Sequence, residues 1–560
     1  MKKYIFVIGG VMSSVGKGIV SSSVALVLKS KGFRVTAVKA DPYINIDAGT
    51  MNPTEHGEVF VTEDADETDQ DIGNYERFLD QNITKINYMT TGRVYQTVIS
   101  KERNLEYGGK CVEVVPHIPE EIIDRIERAA ERTKSDITVV EIGGTVGEYQ
   151  NILFLEAARM MKMRYPNDVA FILVSYLPIP SVVGEMKTKP TQYAARSLNS
   201  AGIQADFIIC RSEVAIDQPR REKLATFCMI DEQNAISCPN VKSIYEVPLL
   251  FEKQNLGNKI LSALHLKPKK SDLKGWMRIV NKIKTAKNEV KIAVVGKYFG
   301  SGSFTLADSY ISVIESVKIA CFHQLAVPKL EWVNSEIFEK DPEKIKMLED
   351  FQGIIVPGGF GSRGIEGIIL AAKFARENQI PYLGLCYGMQ IATIEFARNV
   401  AKMKGANTEE IDPKTPFPVI HLMKEQKEKL IKNDFGGTMR LGGYPCQLKN
   451  GSIAQGAYAK SEISERHRHR FEFNNLYRKK LETLGLIVSG VNPQKNLVEI
   501  IELKNHRFYV GVQFHPEFKT RFTKPHPLFA KFIAESIKCQ SARLPREELS
   551  RGRKTPLEAK

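Results

Sequence analysis

The chain has 560 residues, 43% of them hydrophobic and 26% charged, enough for two large domains with packed cores that need no disulfide or metal staples. Its formal charge is +14, but residues 267–290 and 541–560 together carry nine of those charges, so the remainder is an ordinary solvated surface and nucleic acid is not the expected ligand. No run of about 18 apolar residues occurs, which argues against a membrane span.

The opening Met1-Lys-Lys-Tyr-Ile-Phe-Val-Ile resembles a signal peptide only briefly, because glycines and a Ser-Ser pair interrupt it; the cytoplasm is the expected compartment. Eight cysteines, at 111, 210, 228, 238, 321, 386, 446 and 539, form no CxxC pair and have no zinc-like spacing to histidine. They read as reduced thiols.

Short β-branched runs alternate with longer amphipathic stretches from the start: Tyr4 to Ile8, Val35 to Val38, Ile137 to Ile142, Val169 to Tyr176 and Asp206 to Cys210. This pattern predicts a parallel sheet covered by helices. Between the first run and a helix-like stretch, Ile19 to Leu28, lies Gly9-Gly-Val-Met-Ser-Ser-Val-Gly16-Lys17-Gly18. Its glycines let backbone N–H groups approach phosphate oxygens, and Lys17 adds a charge at a helix start. Gly18, however, occupies the place where a standard loop of this kind has the Ser or Thr that binds magnesium. Carboxylates elsewhere must then hold the ion: the acidic run Glu63 to Asp71 offers one, although such a run is commonly a solvated loop. Glu141 offers another, at the C-terminal end of an apolar strand, where ligands of α/β sheets gather. Lys187-Thr-Lys189-Pro-Thr191-Gln192 packs cations and hydrogen-bonding side chains into six residues, suited to a polyphosphate or a base, and equally compatible with a plain surface loop.

The series pauses after about Leu266. A Lys/Pro-rich segment leads to Trp276, Ile279, Val280 and Ile283, spaced for a short surface helix, and the domain boundary is expected there. A second α/β series runs from Lys291-Ile-Ala-Val-Val-Gly296 through Gly353 to Val356, Pro381 to Leu385, Leu497 to Leu503 and Phe508 to Phe514. Gly384-Leu-Cys386-Tyr-Gly388 fits a strand-to-helix elbow whose small neighbours permit a strained turn and whose helix dipole favours thiolate. His515 is a candidate base and Glu517 its orienting carboxylate. Cys386 and His515 are too distant in sequence to be a local motif, so their pairing is a spatial expectation. Pro357-Gly-Gly359-Phe-Gly361 follows a strand directly, and Gly359 with the N–H of Tyr387 forms a candidate oxyanion hole for attack on an acyl carbon. The last twenty residues, rich in Arg, Lys, Glu and Pro, are expected to be a disordered tail.

Several segments resemble the CTP synthases, an N-terminal synthetase domain fused to a class I glutamine amidotransferase domain. They are Lys39 to Asn45, His56 to Asp64, Glu141 to Gly147, Lys187 to Gln192, Pro357 to Gly361, Gly436 to Gly442 and Arg466 to Arg470. The resemblance covers nearly all of residues 1–539. It implies two α/β domains, with a P-loop-type parallel-sheet synthetase domain at 1–266, a basic linker at 267–290, an amidotransferase domain at 291–540 and the tail at 541–560. It implies that Cys386, His515 and Glu517 hydrolyse glutamine through a thioester, with Gly359, Tyr387, Gly388, Met389, Gln390, Glu410 and Arg470 holding the substrate. It further implies that Ser14, Val15, Gly16, Lys17, Gly18, Ile19 and Asp71 bind ATP, and that Asp71 and Glu141 hold Mg²⁺. UTP, or CTP as product inhibitor, would contact Ser13, Glu148, Tyr149, Gln150, Lys187, Thr188, Lys189, Pro190, Thr191, Gln192 and Lys223. ATP would phosphorylate the uracil O4, and ammonia channelled from the glutaminase site would displace the phosphate. GTP activation and a homotetramer are also implied.

Some positions depart from the family pattern. Glu148-Tyr149-Gln150 stands where Asp-x-Glu is usual, and Tyr387 where leucine is common. The loop Gly300 to Asp308 is longer than in some members, and Ile311 falls where some have lysine. The rival readings are another ATP-dependent amidotransferase, disfavoured by Lys187 to Gln192 and Asp41 to Asn45, and an inactive filament-forming relative, disfavoured by the retained Cys386, His515, Glu517, Lys17, Asp71 and Glu141.

Overall fold

A computed structural model describes residues 2–297, 300–301, 304–305, 307–423, 426 and 436–551; parts of the Gly300 to Asp308 loop and the end of the tail lie outside the described residues. The chain forms two compact units, one of residues 1–50 and 68–280, the other of residues 51–67 and 281–560.

The first unit is built on a seven-stranded sheet. Its strands are β1 (Lys3–Gly9), β2 (Val35–Asp41), β3 (Tyr88–Thr90), β4 (Ile137–Ile142), β5 (Val169–Tyr176), β6 (Phe207–Ser212) and β7 (Ala235–Pro239), in the order β3-β2-β4-β1-β5-β6-β7. All neighbours run parallel. β1 and β4 are buried along their whole length, which is why they read as near-continuous β-branched runs rather than alternating ones. α1 (Lys17–Ser30) leaves the C-terminal end of β1 and buries Val20, Val24, Val27 and Leu28. The order reverses around β1, and there the C-terminal ends of β1, β2 and β4 converge: Glu141 lies opposite Val7 on one side and Lys39 on the other. β3 and β7 were not among the strands expected from sequence; β3, at three residues, is too short to show a period.

α2 (Lys274–Thr285) is the helix expected from the Trp276 spacing. Trp276 is buried against Phe78 and Tyr245, with ring centroids at 5.2 and 5.9 Å, and its Nε1–H donates to the Tyr245 carbonyl at 2.7 Å.

The second unit carries a nine-stranded sheet. Its strands are β8 (Asn288–Gly296), β9 (Ala326–Asn334), β10 (Gly353–Val356), β11 (Tyr382–Leu385), β12 (Arg440–Leu448), β13 (Glu462–His469), β14 (Leu486–Val491), β15 (Val498–Leu503) and β16 (Tyr509–Val512), in the order β9-β8-β10-β11-β16-β15-β14-β12-β13. The first five in that order pair parallel, and from β16 onward every pairing is antiparallel. α3 (Tyr387–Asn399) follows β11 and is buried along most of its length.

Residues 51–67 belong to this second unit, although sequence continuity assigns them to the first domain. Phe60 packs on Phe518 with centroids 4.9 Å apart, Glu63 pairs with Arg466 at 3.0 Å, and Glu67 pairs with Arg468 at 2.7 Å. A Cβ at Gly442 would lie 2.8 Å from Ala65, so the glycine there admits the segment. The final helix, α4 (Pro527–Arg551), continues past residue 541, where composition predicts disorder. Among the described residues, no helix is long and apolar enough to cross a membrane.

Candidate functional site

The nucleophile end is organised by two adjacent parallel strands. β11 and β16 pair with Leu385 opposite Val512, and the Cys386 N–H donates to the Val512 carbonyl at 2.7 Å. Cys386 and His515 thus leave neighbouring strand ends, which is how residues so distant in sequence come together. Cys386 has φ 47° and ψ −95°, a strained conformation at the N-terminus of α3. The elbow's glycines are required by contact. A Cβ on Gly388 would lie 2.3 Å from the Val356 carbonyl oxygen, and one on Gly384 would lie 2.6 Å from the Gly388 backbone.

His515 Nδ1 lies 2.7 Å from Glu517 Oε1. Burial works against a charge on this ring, yet Glu517 and the Cys386 sulfur outweigh it and push the His515 pKa up to about 10. Gln513 Nε2 donates toward the Cys386 sulfur at 3.5 Å, and the sulfur itself is 3.7 Å from the Arg468 carbonyl oxygen. A cavity of about 120 Å³ opens beside the thiol, lined by Cys386, His515, Gly359, Phe360, Arg468 and Asn52.

The other residues expected to hold glutamine surround this point at different removes. Tyr387 and Met389 are buried at the start of α3, and Gln390 Nε2 donates to the Phe471 carbonyl at 3.0 Å. Glu410 accepts from the Gly361 N–H at 2.9 Å, and Arg470 donates to Gln426 Oε1 at 2.7 Å. Gln513 and Lys297 were not singled out from sequence, and Arg468 only as part of the segment Arg466 to Arg470, with no role given; strand pairing and loop closure bring them to the elbow.

At the phosphate end, the loop after β1 holds Val11 at φ 77° and Ser14 at φ 56°, unusual for residues with a Cβ. Lys17 folds back to donate to the Gly144 carbonyl at 2.7 Å. The missing hydroxyl at Gly18 has a geometric counterpart. A Cβ there would lie 1.8 Å from Asp71 Oδ1, so the Asp71 carboxylate fills the space a Ser or Thr side chain would need. Lys39 Nζ bridges Asp71 Oδ2 at 2.5 Å and Glu141 Oε1 at 2.9 Å, and Tyr75 donates to Glu141 Oε2 at 2.5 Å. Burial, reinforced by Asp71, pushes the Glu141 pKa up to about 7, whereas at Asp71 the Lys39 charge outweighs burial and holds the carboxyl below its usual range. Hard oxygen donors gathered around a cation in this way suit a magnesium ion. Lys39, which opens the resembling segment Lys39 to Asn45, is also the lone charge inside the otherwise uncharged run Val35 to Ala40.

The residues expected to hold the pyrimidine nucleotide are spread over the same unit. Ser13 is exposed on the phosphate loop. Glu148 accepts from the Thr145 N–H at 2.9 Å, while Tyr149 and Gln150 point outward, Tyr149 being 93% exposed. Lys187 pairs with Glu185 at 2.7 Å, Thr188 precedes the helix Lys189–Ser200, and Pro190 sits in its first turn. Thr191 accepts from Ser175 Oγ at 2.8 Å, Gln192 donates to Thr188 at 3.1 Å, Lys189 lies over the Phe227 ring, and Lys223 is exposed.

A family model described as CTP synthase N-terminus matches residues 3–266, and one described as glutamine amidotransferase class-I matches residues 305–535. A CTP synthase of Prochlorococcus marinus (strain MIT 9312) is 49% identical over 537 residues, covering 96% of this chain and 98% of the relative. One of Caldanaerobacter subterraneus subsp. tengcongensis is 51% identical over 535 residues, covering 95% and 98%. The solved glutaminase domain of Trypanosoma brucei CTPS with bound acivicin is 36% identical, covers 44% of this chain and 94% of that one, and superposes with a TM-score of 0.41. With both family models matched in order and relatives aligned over nearly the full length of each chain, this chain belongs to the CTP synthase family of glutamine-hydrolysing ligases.

Proposed function

We propose that this chain aminates UTP to CTP, using ATP and ammonia released from glutamine. The observation that carries the reading is the junction of β11 and β16, which presents Cys386 on a strained elbow next to a His515 charged by Glu517. The Cys386 thiolate attacks the glutamine amide carbon. The resulting oxyanion is met by the N–H groups of Gly359 and Tyr387, and His515 gives its proton to the departing ammonia. Water then releases glutamate from the thioester. Glu410, Arg470 and residues 388–390 are assigned to the amino-acid substrate.

In the first unit, Ser14 to Ile19 and Asp71 are assigned to ATP, and Asp71 and Glu141 to Mg²⁺, which when bound offsets phosphate charge. The bridging of these two carboxylates by Lys39 supports a cation site there. Ser13, residues 148–150, Lys187 to Gln192 and Lys223 are assigned to UTP, and to CTP as inhibitor. Phosphorylation of the uracil O4 turns a poor leaving group into phosphate, which ammonia displaces. The two half-reactions are assigned to the two domains expected at 1–266 and 291–540, except that residues 51–67 go with the second, and the stretch 267–290 expected as a linker includes the packed helix α2.

The exposed apolar side chains Tyr149, Ile152, Val182, Val183 and Tyr193 support subunit contacts in a homotetramer. GTP activation is carried over from the family resemblance. The free thiols among the described residues suit a reducing compartment such as the cytoplasm.

The test is CTP formation from UTP, ATP and Mg²⁺ with either glutamine or ammonium as nitrogen donor, with and without GTP. Cys386→Ala is expected to abolish the glutamine-driven reaction and spare the ammonium-driven one. Absence of CTP with both donors in the wild-type protein sinks the proposal, and loss of both activities in folded Cys386→Ala sinks the division of labour.

A further inference from the structure

We infer that the side chain of Tyr387 is a positioning element of the glutaminase site, a latch that holds the loop 357–361 so that Gly359 stays aimed at the developing oxyanion. The inference rests on the glutaminase reading above, in which only the backbone of residue 387 has a role.

Gly361 ends that loop with φ +80°, and its peptide groups are held from several directions. The Tyr387 hydroxyl donates to the Gly361 carbonyl at 3.0 Å, and Lys297 Nζ donates to the same oxygen. The Gly361 N–H donates to Glu410 at 2.9 Å. Lys297 also lies over the face of the Tyr387 ring, 5.0 Å from its centroid, and its own carbonyl accepts from Arg363 at 2.8 Å. The ring edge abuts the candidate oxyanion donor, since a Cβ on Gly359 would meet Tyr387 Cδ1 at 3.6 Å. Tyr387 is 2% exposed, whereas Gly361 is only half-buried, so the ring is fixed by packing while the bonds to the loop lie at the edge of the site.

One residue therefore joins the two halves of the hole. Its amide begins α3 beside Cys386, and its phenol reaches across to the loop that carries Gly359. A glycine-rich loop has little intrinsic stiffness. An oxyanion donor, by contrast, contributes only when it is fixed before the charge develops. A side chain at 387 without a hydroxyl cannot donate to the Gly361 carbonyl, and Lys297 alone would then hold that oxygen from a longer, more flexible stem.

The test is Tyr387→Phe, which keeps the ring and removes only the hydroxyl, with Tyr387→Leu as a second variant. Ammonia release from glutamine is measured with ATP, UTP and GTP present, together with inhibition by L-glutamate γ-semialdehyde. The thiol adds reversibly to that aldehyde: an S–C bond forms, the carbonyl π electrons move to oxygen, and a proton neutralises the oxygen that occupies the hole. For Tyr387→Phe, kcat is expected to fall roughly 5- to 10-fold with KM nearly unchanged, and aldehyde affinity to fall by a similar factor. The melting midpoint and the stoichiometry of Cys386 alkylation report folding. Tyr387→Leu should lose more of both. If KM rises while kcat holds, or aldehyde affinity is unchanged, the latch is overturned. A wild-type chain that releases no ammonia from glutamine overturns the glutaminase reading and the latch together.

Discussion

Gly18→Ala tests the proposed placement of Mg²⁺ by Asp71 separately from stability at the phosphate end. The new Cβ would fall 1.8 Å from Asp71 Oδ1 and 2.6 Å from its Cγ, where ordinary contact begins at 3.4 Å. The Asp71 carboxylate must therefore retreat by about 1.5 Å, since backbone on the α1 side cannot yield as easily as a side chain. Magnesium tolerates little departure from about 2.1 Å to each ligand oxygen, and a misplacement of roughly 1 Å at a reacting centre costs about 100-fold in rate. Ammonium-driven CTP formation is expected to drop by about that factor or more, with a steeper requirement for Mg²⁺. Stability should fall by no more than about 2 kcal/mol. Crowding costs about 1–3 kcal/mol, and replacing glycine by alanine within a helix returns about 1 kcal/mol. The assay is the absorbance change of the base during conversion, recorded across a Mg²⁺ series, with the melting midpoint and Cys386 alkylation as controls for folding. A variant with the wild-type rate and Mg²⁺ dependence would refute the proposed role of Asp71 as a ligand of the metal.

Two further outcomes follow from side-chain environments. Glu517→Gln removes a principal charge that sustains imidazolium at His515, so its pKa should fall from about 10. A folded-state pKa raised above the unfolded value of about 6.5 contributes stability that is complete below about pH 6.5 and disappears as pH rises through about 10. The difference in melting midpoint between wild type and Glu517→Gln should accordingly be larger at pH 7 than at pH 10; a difference that grows with pH contradicts the assignment. Trp276→Ala should cost about 3–5 kcal/mol, because a buried indole packed on Phe78 and Tyr245 is deleted and the Tyr245 carbonyl loses its donor. Urea unfolding followed by far-UV circular dichroism measures it, because Trp332, the only other tryptophan, lies in the second unit and does not report on the first, and a cost under about 1 kcal/mol would mean that the site collapses without strain.

Most of the buried parallel strands were legible because they are apolar on both faces, whereas the antiparallel strands β12, β13 and β14 were not; the elbow around Cys386 was legible because its glycines have no room for a Cβ. The same reasoning applied to Gly18 identified a lack and named Asp71 among the carboxylates able to make it good. Proximity was not legible. The Cys386 to His515 approach depends on β11 lying beside β16, and the joining of Lys39, Asp71 and Glu141 depends on β2 lying beside β4. Nor was the membership of residues 51–67 in the second unit, since Glu63 and Glu67 look like solvated acids until Arg466 and Arg468 lie opposite them. Local sequence therefore determined what each segment is, because side-chain size, branching and backbone freedom act within a few residues. The tertiary structure alone decided which segments meet, because strand order and register are set by how whole sheets and helices bury their faces together.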